Sequence, residues 1–292
     1  MVRIAFVHGI NNEKSTPQCI AERWWAALLR GWETLGLTQV ERPQIDVGFY
    51  GTILANAVAG AKSRAVHQGG NTSGGHLGQA FLETYLRDMT GETLDCVPGA
   101  ASPGDAVAQG PVKQRLVHAA AAVERHLRNH GKWLAKGYLP QAVAYIDDPG
   151  LAAQIGVTVR KQIFDTHDEE TILIAHSLGT VVSYKLLAGD AKLRNRRVPL
   201  FMTLGSPLGI GMMRSILPAR RTVPDPPVAA WVNAYRRDDF VALNRPLTRE
   251  TIGLSGVDNI ADGLNEEADP HSVEAYLSSP PICARIYDKL RA

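Results

Sequence analysis

The clearest candidate for chemistry is Ser177, in the segment Ala175-His176-Ser177-Leu178-Gly179. This segment directly follows the apolar run Thr171–Ile174. A serine becomes a nucleophile when a base removes its proton, and a sharp strand-to-helix turn can expose its hydroxyl. Such a turn needs small residues two positions before and after the serine, which here are Ala175 and Gly179. We therefore expect Ser177 to be a nucleophile, rather than a serine that merely caps a helix.

Such a serine needs a base and an acid that orients the base. In the α/β arrangement with this turn, the chain order is serine, acid, histidine. His271 is the one histidine after Ser177 in the sequence, so we expect it to be the base. The acid should follow a strand between these two residues, and Asp238 and Asp239 both follow the strand-like run Val228–Tyr235. The residues by themselves leave both aspartates open as the acid.

Backbone N–H groups should stabilise the negative oxygen that develops when an acyl carbon is attacked. One expected donor is Leu178, which follows the nucleophile, and the other is Ile10. Ile10 belongs to the loop Val7–Asn11, whose glycine permits close approach of the backbone. His8 and His176 are interpreted as structural hydrogen-bonding residues, not as the base.

Alternating strands and helices must position these groups. Apolar runs predict the strands, and apolar residues at helical spacing predict the helices between them. The expected strands are Val2–Val7, Gln44–Tyr50, Thr171–Ala175, Val198–Leu204 and Val228–Tyr235, and the expected helices are Ala21–Leu35, Gly179–Leu187 and Val273–Leu277. This alternation is typical of a mostly parallel sheet with helices on both faces, so the predicted fold class is α/β.

The pattern changes between about residues 52 and 141. Two glycine-containing loop-like stretches, 68–76 and 95–111, alternate there with helices predicted over Gln79–Met89 and Val112–Lys136. We interpret this segment as a largely helical insertion that forms a cap over a pocket, and the alternative is a surface decoration. The glycines lack the Lys-Ser/Thr ending of a phosphate-binding loop.

The composition excludes several other classes of protein. The 292 residues carry a formal net charge of +2, which disfavours nucleic-acid binding, and the 45% hydrophobic content disfavours disorder. No apolar stretch approaches the length of a membrane span, and the first residues lack the pattern of a secretory signal. Cys19, Cys96 and Cys283 form no metal-ligand or disulfide pattern. These features predict a cytoplasmic protein without an integral membrane span.

Several segments of the sequence resemble the α/β-hydrolase superfamily. They are the segments around Ile10, Ser177 and His271, together with Thr203–Leu208 and Trp231–Asn233. They are most similar to its bacterial lipase/esterase-like serine hydrolases, and the resemblance extends from residue 4 to about residue 277. In that group a Trp-x-Asn strand leads to an aspartate, then a small or apolar residue, then valine. The segment Asp239-Phe240-Val241 matches this pattern, so the resemblance favours Asp239 as the acid. Phe240 departs from the frequent proline, and Ala175 replaces the usual first glycine.

The resemblance implies hydrolysis of a carboxylic ester through an acyl-serine intermediate. Ser177, His271 and Asp239 would form the catalytic triad, and the reaction would need no metal or organic cofactor. Residues 1–292 would form one domain. The substrate would be a small-molecule or lipid ester. A thioesterase, an amidase or a phospholipase would use the same triad, because these reactions pass through similar oxyanions. A binding protein on a hydrolase scaffold is a further alternative, although such a protein would be expected to lack a triad residue.

Overall fold

The described part of the chain folds into one parallel sheet with helices on both faces. The structure is a computed structural model that describes residues 2–37, 40–67, 84–85, 87–88, 138–211, 213, 216–217, 227–262 and 269–292. Within these residues, six strands form the sheet and two apolar layers lie against its two faces. The predicted α/β class is thereby confirmed.

All neighbouring strands in the sheet are parallel. The strands are β1 (Arg3–Val7), β2 (Ile45–Gly48), β3 (Thr171–His176), β4 (Leu200–Leu204), β5 (Trp231–Arg236) and β6 (Asp258–Asp262). They lie in the order β2-β1-β3-β4-β5-β6. Val7 is in register with Ala175, and His176 with Leu204, so the candidate segments leave the sheet at the same edge. Ligands bind at this carboxyl edge in open α/β sheets.

Helices cover both faces of this sheet. They are α1 (Pro17–Thr34), α2 (Gly51–His67), α3 (Leu139–Asp147), α4 (Pro149–Ile163), α5 (Leu178–Gly189), α6 (Arg249–Ile252), α7 (Val273–Ser278) and α8 (Pro280–Arg291). Apolar residues of α1, α7 and α8 pack on one face, and those of α3, α4 and α5 on the other. Both faces are buried, which explains why the central strands are apolar at nearly every position. No helix in the described ranges is long and apolar enough to cross a membrane.

Several element boundaries differ from the sequence expectation for local reasons. Helix α1 begins at Pro17, four residues before the predicted start, because Thr16 accepts the N–H of Cys19 and proline suits the first helical turn. Strands β4 and β5 begin later than predicted, since Val198 and Val228 form only an isolated bridge. Strand β6 has no apolar alternation and is partly exposed, so its sequence gives no strand signal.

Parts of the predicted insertion at 52–141 fall within the described residues. Helices α2 and α3 form its two ends, and Leu54 of α2 is buried in the core. Of the helix predicted over Gln79–Met89, residues 84–85 and 87–88 are described, and these are helical. The stretches 68–76, 95–111 and 112–136 lie outside the described residues.

Gly179 allows α5 to begin directly against the end of β1. A Cβ atom at position 179 would lie 2.4 Å from the carbonyl oxygens of both Val7 and His8. These are backbone atoms of a central strand and its following loop, so they cannot move aside as the end of a flexible side chain can. The approach of α5 to β1 therefore requires glycine at this position.

Gly179→Ala should lower the free energy of unfolding by about 1–3 kcal/mol, because overpacking must displace backbone. Gly156→Ala on α4 is the matched control, since its Cβ would meet Leu186 Cδ2 at an ordinary 3.5 Å. That change should raise stability by up to about 1 kcal/mol through helix propensity. Urea unfolding measures both variants, and equal effects would contradict the requirement for glycine at 179.

Candidate active site

Ser177 lies between β3 and α5 in an uncommon backbone conformation, with φ 54° and ψ −130°. A positive φ strains a residue other than glycine, and such strain persists where the surrounding structure enforces it. The N–H of Ser177 donates to the carbonyl of Leu204 at 3.0 Å, and its carbonyl accepts the N–H of Thr180 at 3.0 Å. Contacts to both neighbouring elements thus hold Ser177 on the sharp turn.

The loop after β1 lies directly beside Ser177. A Cβ atom at Gly9 would be 2.6 Å from Ser177 Cβ, so this loop approaches the serine as closely as a glycine permits. Ile10 lines the same cavity as Ser177. Leu178 is the first residue of α5, and the N–H groups of a first helical turn have no acceptor within their helix. Both segments that should supply N–H donors therefore flank Ser177.

His271 and Asp239 form a buried pair. Nδ1 of His271 lies 3.0 Å from each carboxylate oxygen of Asp239. An ionised carboxylate only accepts hydrogen bonds, so Nδ1 is the donor and, in a neutral ring, Nε2 is the nitrogen that can accept a proton. This is the tautomer that a base acting on a serine requires.

Asp239 is held ionised in spite of its burial. Burial by itself would raise the pKa of Asp239, but the facing His271 ring and the hydrogen bonds to the carboxylate outweigh this effect. These bonds come from His271, from the hydroxyl of Tyr276 at 2.7 Å and from the N–H of Val241 at 2.7 Å. The pKa of Asp239 therefore lies below its ordinary value, and the side chain is charged at neutral pH.

The two adjacent aspartates have different partners. Asp238 is 36% exposed, and its Oδ1 lies 3.8 Å from Nε of the buried Arg236. Asp239 instead reaches His271, and Gly205 makes room for this pair: a Cβ at 205 would lie 2.7 Å from Asp239 Oδ2 and 2.9 Å from His271 Cε1. The geometry thus selects Asp239, of the two, as the acid that orients the histidine.

Ser177 and His271 line one cavity of about 480 Å³. Ser177 Oγ makes no hydrogen bond to any residue within the described ranges. In sites without a bound substrate, contacts between a serine and its base are often long, and they tighten when substrate binds. The structure brings the expected nucleophile and base to one cavity, without a hydrogen bond at the serine oxygen.

Two more histidines near Ser177 are neutral and hydrogen-bonded. Nε2 of His8 accepts the N–H of Tyr50 at 3.1 Å, so its Nδ1 carries the proton and donates to the carbonyl of Gly9 at 2.6 Å. His176 Nε2 donates to the carbonyl of His271 at 2.9 Å. Burial lowers the pKa of His8 to about 4, and burial followed by the nearby His271 ring lowers that of His176 well below its ordinary value.

Tyr276 is a residue of the site that the sequence pattern does not reveal. It lies on α7, is fully buried, and donates its hydroxyl to Asp239 Oδ2. The guanidinium of Arg236 lies 5.8 Å from the centre of its ring. The available signal is indirect: Tyr276 follows His271 by five residues, in a helix that begins almost directly after this histidine.

Neither a family model nor a curated protein nor a solved structure matches this chain. Within the described ranges, no group of three or more His, Cys, Asp or Glu side chains is arranged to hold a metal ion. What the site can do is therefore argued from its own geometry. A strained serine, a histidine oriented by a buried carboxylate, and N–H donors beside the serine together suit acyl transfer.

Tyr276→Phe should lower the free energy of unfolding by about 1.5–3 kcal/mol, because a buried carboxylate loses a charge-assisted hydrogen bond. Tyr287→Phe on α8 is the control, since its ring lies near Trp32 and its hydroxyl has no hydrogen bond to a described residue. Urea unfolding at pH 7 compares the two variants. Equal losses in both would contradict the stabilising role of the Tyr276 hydroxyl.

Acidification should destabilise the protein through His8 and His176. Their folded-state pKa values lie below the unfolded value of 6.5, so the unfolded chain binds more protons as the pH falls from 6.5 toward 4. Stability is thus greatest above pH 6.5, and His8 alone should cost about 2 kcal/mol between pH 7 and pH 5. His8→Gln should reduce the difference between the unfolding free energies at these two pH values, and an unchanged difference would refute this assignment.

Proposed function

We propose that this protein is a serine hydrolase of the α/β-hydrolase superfamily that cleaves carboxylic esters through an acyl-serine intermediate. One observation carries the proposal: the strained Ser177 shares a cavity with His271, whose Nδ1 is held by the buried Asp239. The order serine, acid, histidine and the location of Ser177 between β3 and α5 support it, as does the resemblance to lipase/esterase-like hydrolases.

In the first half-reaction, Ser177 Oγ attacks the acyl carbon and His271 Nε2 takes the proton of the hydroxyl. Asp239 stabilises the resulting imidazolium, and the N–H groups of Ile10 and Leu178 stabilise the negative oxygen. The bond between the acyl carbon and the alcohol oxygen then breaks. His271 gives its proton to this oxygen, the alcohol leaves, and the acyl group stays on Ser177.

Water completes the cycle. His271 takes a proton from water while the water oxygen adds to the acyl carbon, again with the negative oxygen at the two N–H groups. The bond to Ser177 Oγ breaks, and His271 returns the proton to the serine. One ester and one water thus give one acid and one alcohol, and the residues return to their starting states.

The proposal requires Ser177 and His271 to come into hydrogen-bond contact when substrate binds, since Ser177 Oγ has no hydrogen bond to a described residue. The same observation favours a second candidate, a binding protein on a hydrolase scaffold, in which this contact never forms. The two candidates differ in whether Ser177 reacts with an electrophile.

The segment 52–141 is proposed to be a cap beside this site. The hydroxyl of Tyr85, within that segment, donates to the carbonyl of Phe240. Phe240 directly follows Asp239, and its ring centre lies 5.7 Å from that of His271. This contact supports the cap interpretation over that of a distant surface decoration.

A fluorophosphonate probe tests the reactivity of Ser177, because an activated serine displaces its fluoride and keeps the phosphonyl group. We expect mass spectrometry to locate the adduct on Ser177, and Ser177→Ala to abolish it. His271→Ala and Asp239→Asn should slow labelling by about 10²–10⁴-fold, the typical contribution of general base catalysis.

Asp238→Asn is the matched control, because it removes the neighbouring carboxylate that lies near Arg236 rather than His271. It should label at the wild-type rate. A folded wild-type protein that forms no adduct and hydrolyses no ester would contradict the hydrolase proposal and favour the binding protein.

A further inference from the structure

The cavity that contains Ser177 and His271 has a largely polar wall. Its apolar side chains within the described ranges are Ile10, Trp24 and Val273, each at most 7% exposed. Apart from Ser177, His271 and His176, the other lining side chains are polar or charged, namely Asn11, Asn12, Arg23, Asp269, Ser272 and Glu274. A bound group would therefore meet hydrogen-bonding atoms over much of this wall.

Four of these polar side chains are fixed by contacts to one another or to His271. Nε of Arg23 donates to Oε1 of Glu274 at 2.9 Å, and Ser272 donates to the other oxygen of Glu274 at 3.3 Å. Asp269 accepts the N–H of His271 at 3.0 Å. An alkyl chain placed here would displace the water that hydrogen-bonds these groups and would offer no hydrogen bonds in return, which costs free energy. Hydroxyl groups can instead replace the hydrogen bonds of the displaced water.

The position of this wall indicates which half of an ester it contacts. In the proposed reaction His271 gives its proton to the alcohol oxygen, so the alcohol must lie beside His271. Asp269, Ser272 and Glu274 flank His271 in the chain and line the same cavity. The alcohol half of the ester would therefore meet these side chains.

We propose that the substrate is an ester of a hydrophilic, polyhydroxylated alcohol, whose hydroxyl groups bind Arg23, Glu274 and the polar side chains beside them. This inference rests on the proposed hydrolase function and narrows it to a substrate class. A site that binds hydroxyl groups discriminates strongly against an analogue without them, because its own polar groups then lose their partners.

Two acetate esters form a matched pair for the test. Glycerol monoacetate and pentyl acetate share the acyl group, and their alcohols have equal numbers of non-hydrogen atoms. We expect kcat/KM for glycerol monoacetate to exceed that for pentyl acetate by at least about 10-fold in the wild-type protein. An equal or reversed preference would overturn the inference.

The double variant Arg23→Met with Glu274→Gln removes the charged pair and should reduce this preference toward equality. The control is Arg42→Met with Glu22→Gln, which removes an exposed ion pair whose nitrogen and oxygen lie 2.9 Å apart. This pair also has one residue on α1, but neither of its residues lines the cavity. The control should keep the wild-type preference. A preference that both double variants retain would contradict a role of Arg23 and Glu274 in binding the alcohol.

p-Nitrophenyl acetate separates failure of this inference from failure of the proposed function. Hydrolysis of this ester and labelling of Ser177, without a preference for glycerol monoacetate, would overturn the alcohol class and retain the hydrolase. No hydrolysis of any of the three esters would overturn both.

Discussion

Close approaches at three glycines along the carboxyl edge of the sheet constrain the candidate site. Gly9, Gly179 and Gly205 stand where an added Cβ would lie 2.6, 2.4 and 2.7 Å from its nearest neighbour. At Gly9 and Gly179 these approaches bring the ends of β1 and β3 together around the turn of Ser177, and at Gly205, after β4, the close neighbours are the side chains of Asp239 and His271. Because this turn has no room to relax, Ser177 adopts a positive φ that a residue other than glycine ordinarily avoids.

A buried charge is the second condition that the fold must satisfy at this edge. A carboxylate without partners would be neutralised by burial, but Asp239 accepts hydrogen bonds from a histidine, a tyrosine and the backbone. The same bonds fix the ring of His271 through Nδ1, while His176 holds its backbone carbonyl. The orientation of His271 therefore depends on core packing around α7 as well as on the carboxylate.

The sequence reveals those parts of the site that local patterns encode. Ser177 stands in a contiguous strand-turn-helix signal, and His271 follows from chain order. The choice between Asp238 and Asp239 is different, because adjacent residues in a turn share nearly the same pattern, and three-dimensional contacts with Arg236 and His271 separate them. Tyr276 is also invisible in the pattern, since a buried tyrosine on an amphipathic helix ordinarily indicates core packing alone. Strand β6 lacks periodicity and is recognisable only through its pairing with β5.

The short helix α7 connects the orientation of His271 to the wall of the cavity. Tyr276 and Leu277 are fully buried and anchor this helix in the core, while Ser272 caps its start by accepting the N–H of Ala275. His271 immediately precedes this cap, and Glu274 lies in the first helical turn. Tyr276 donates to the carboxylate that orients His271, and the start of the helix presents Ser272, Val273 and Glu274 as a cavity face. Under the proposed mechanism, substitutions on the cavity face can change the alcohol that is bound while the contact between Asp239 and His271 persists.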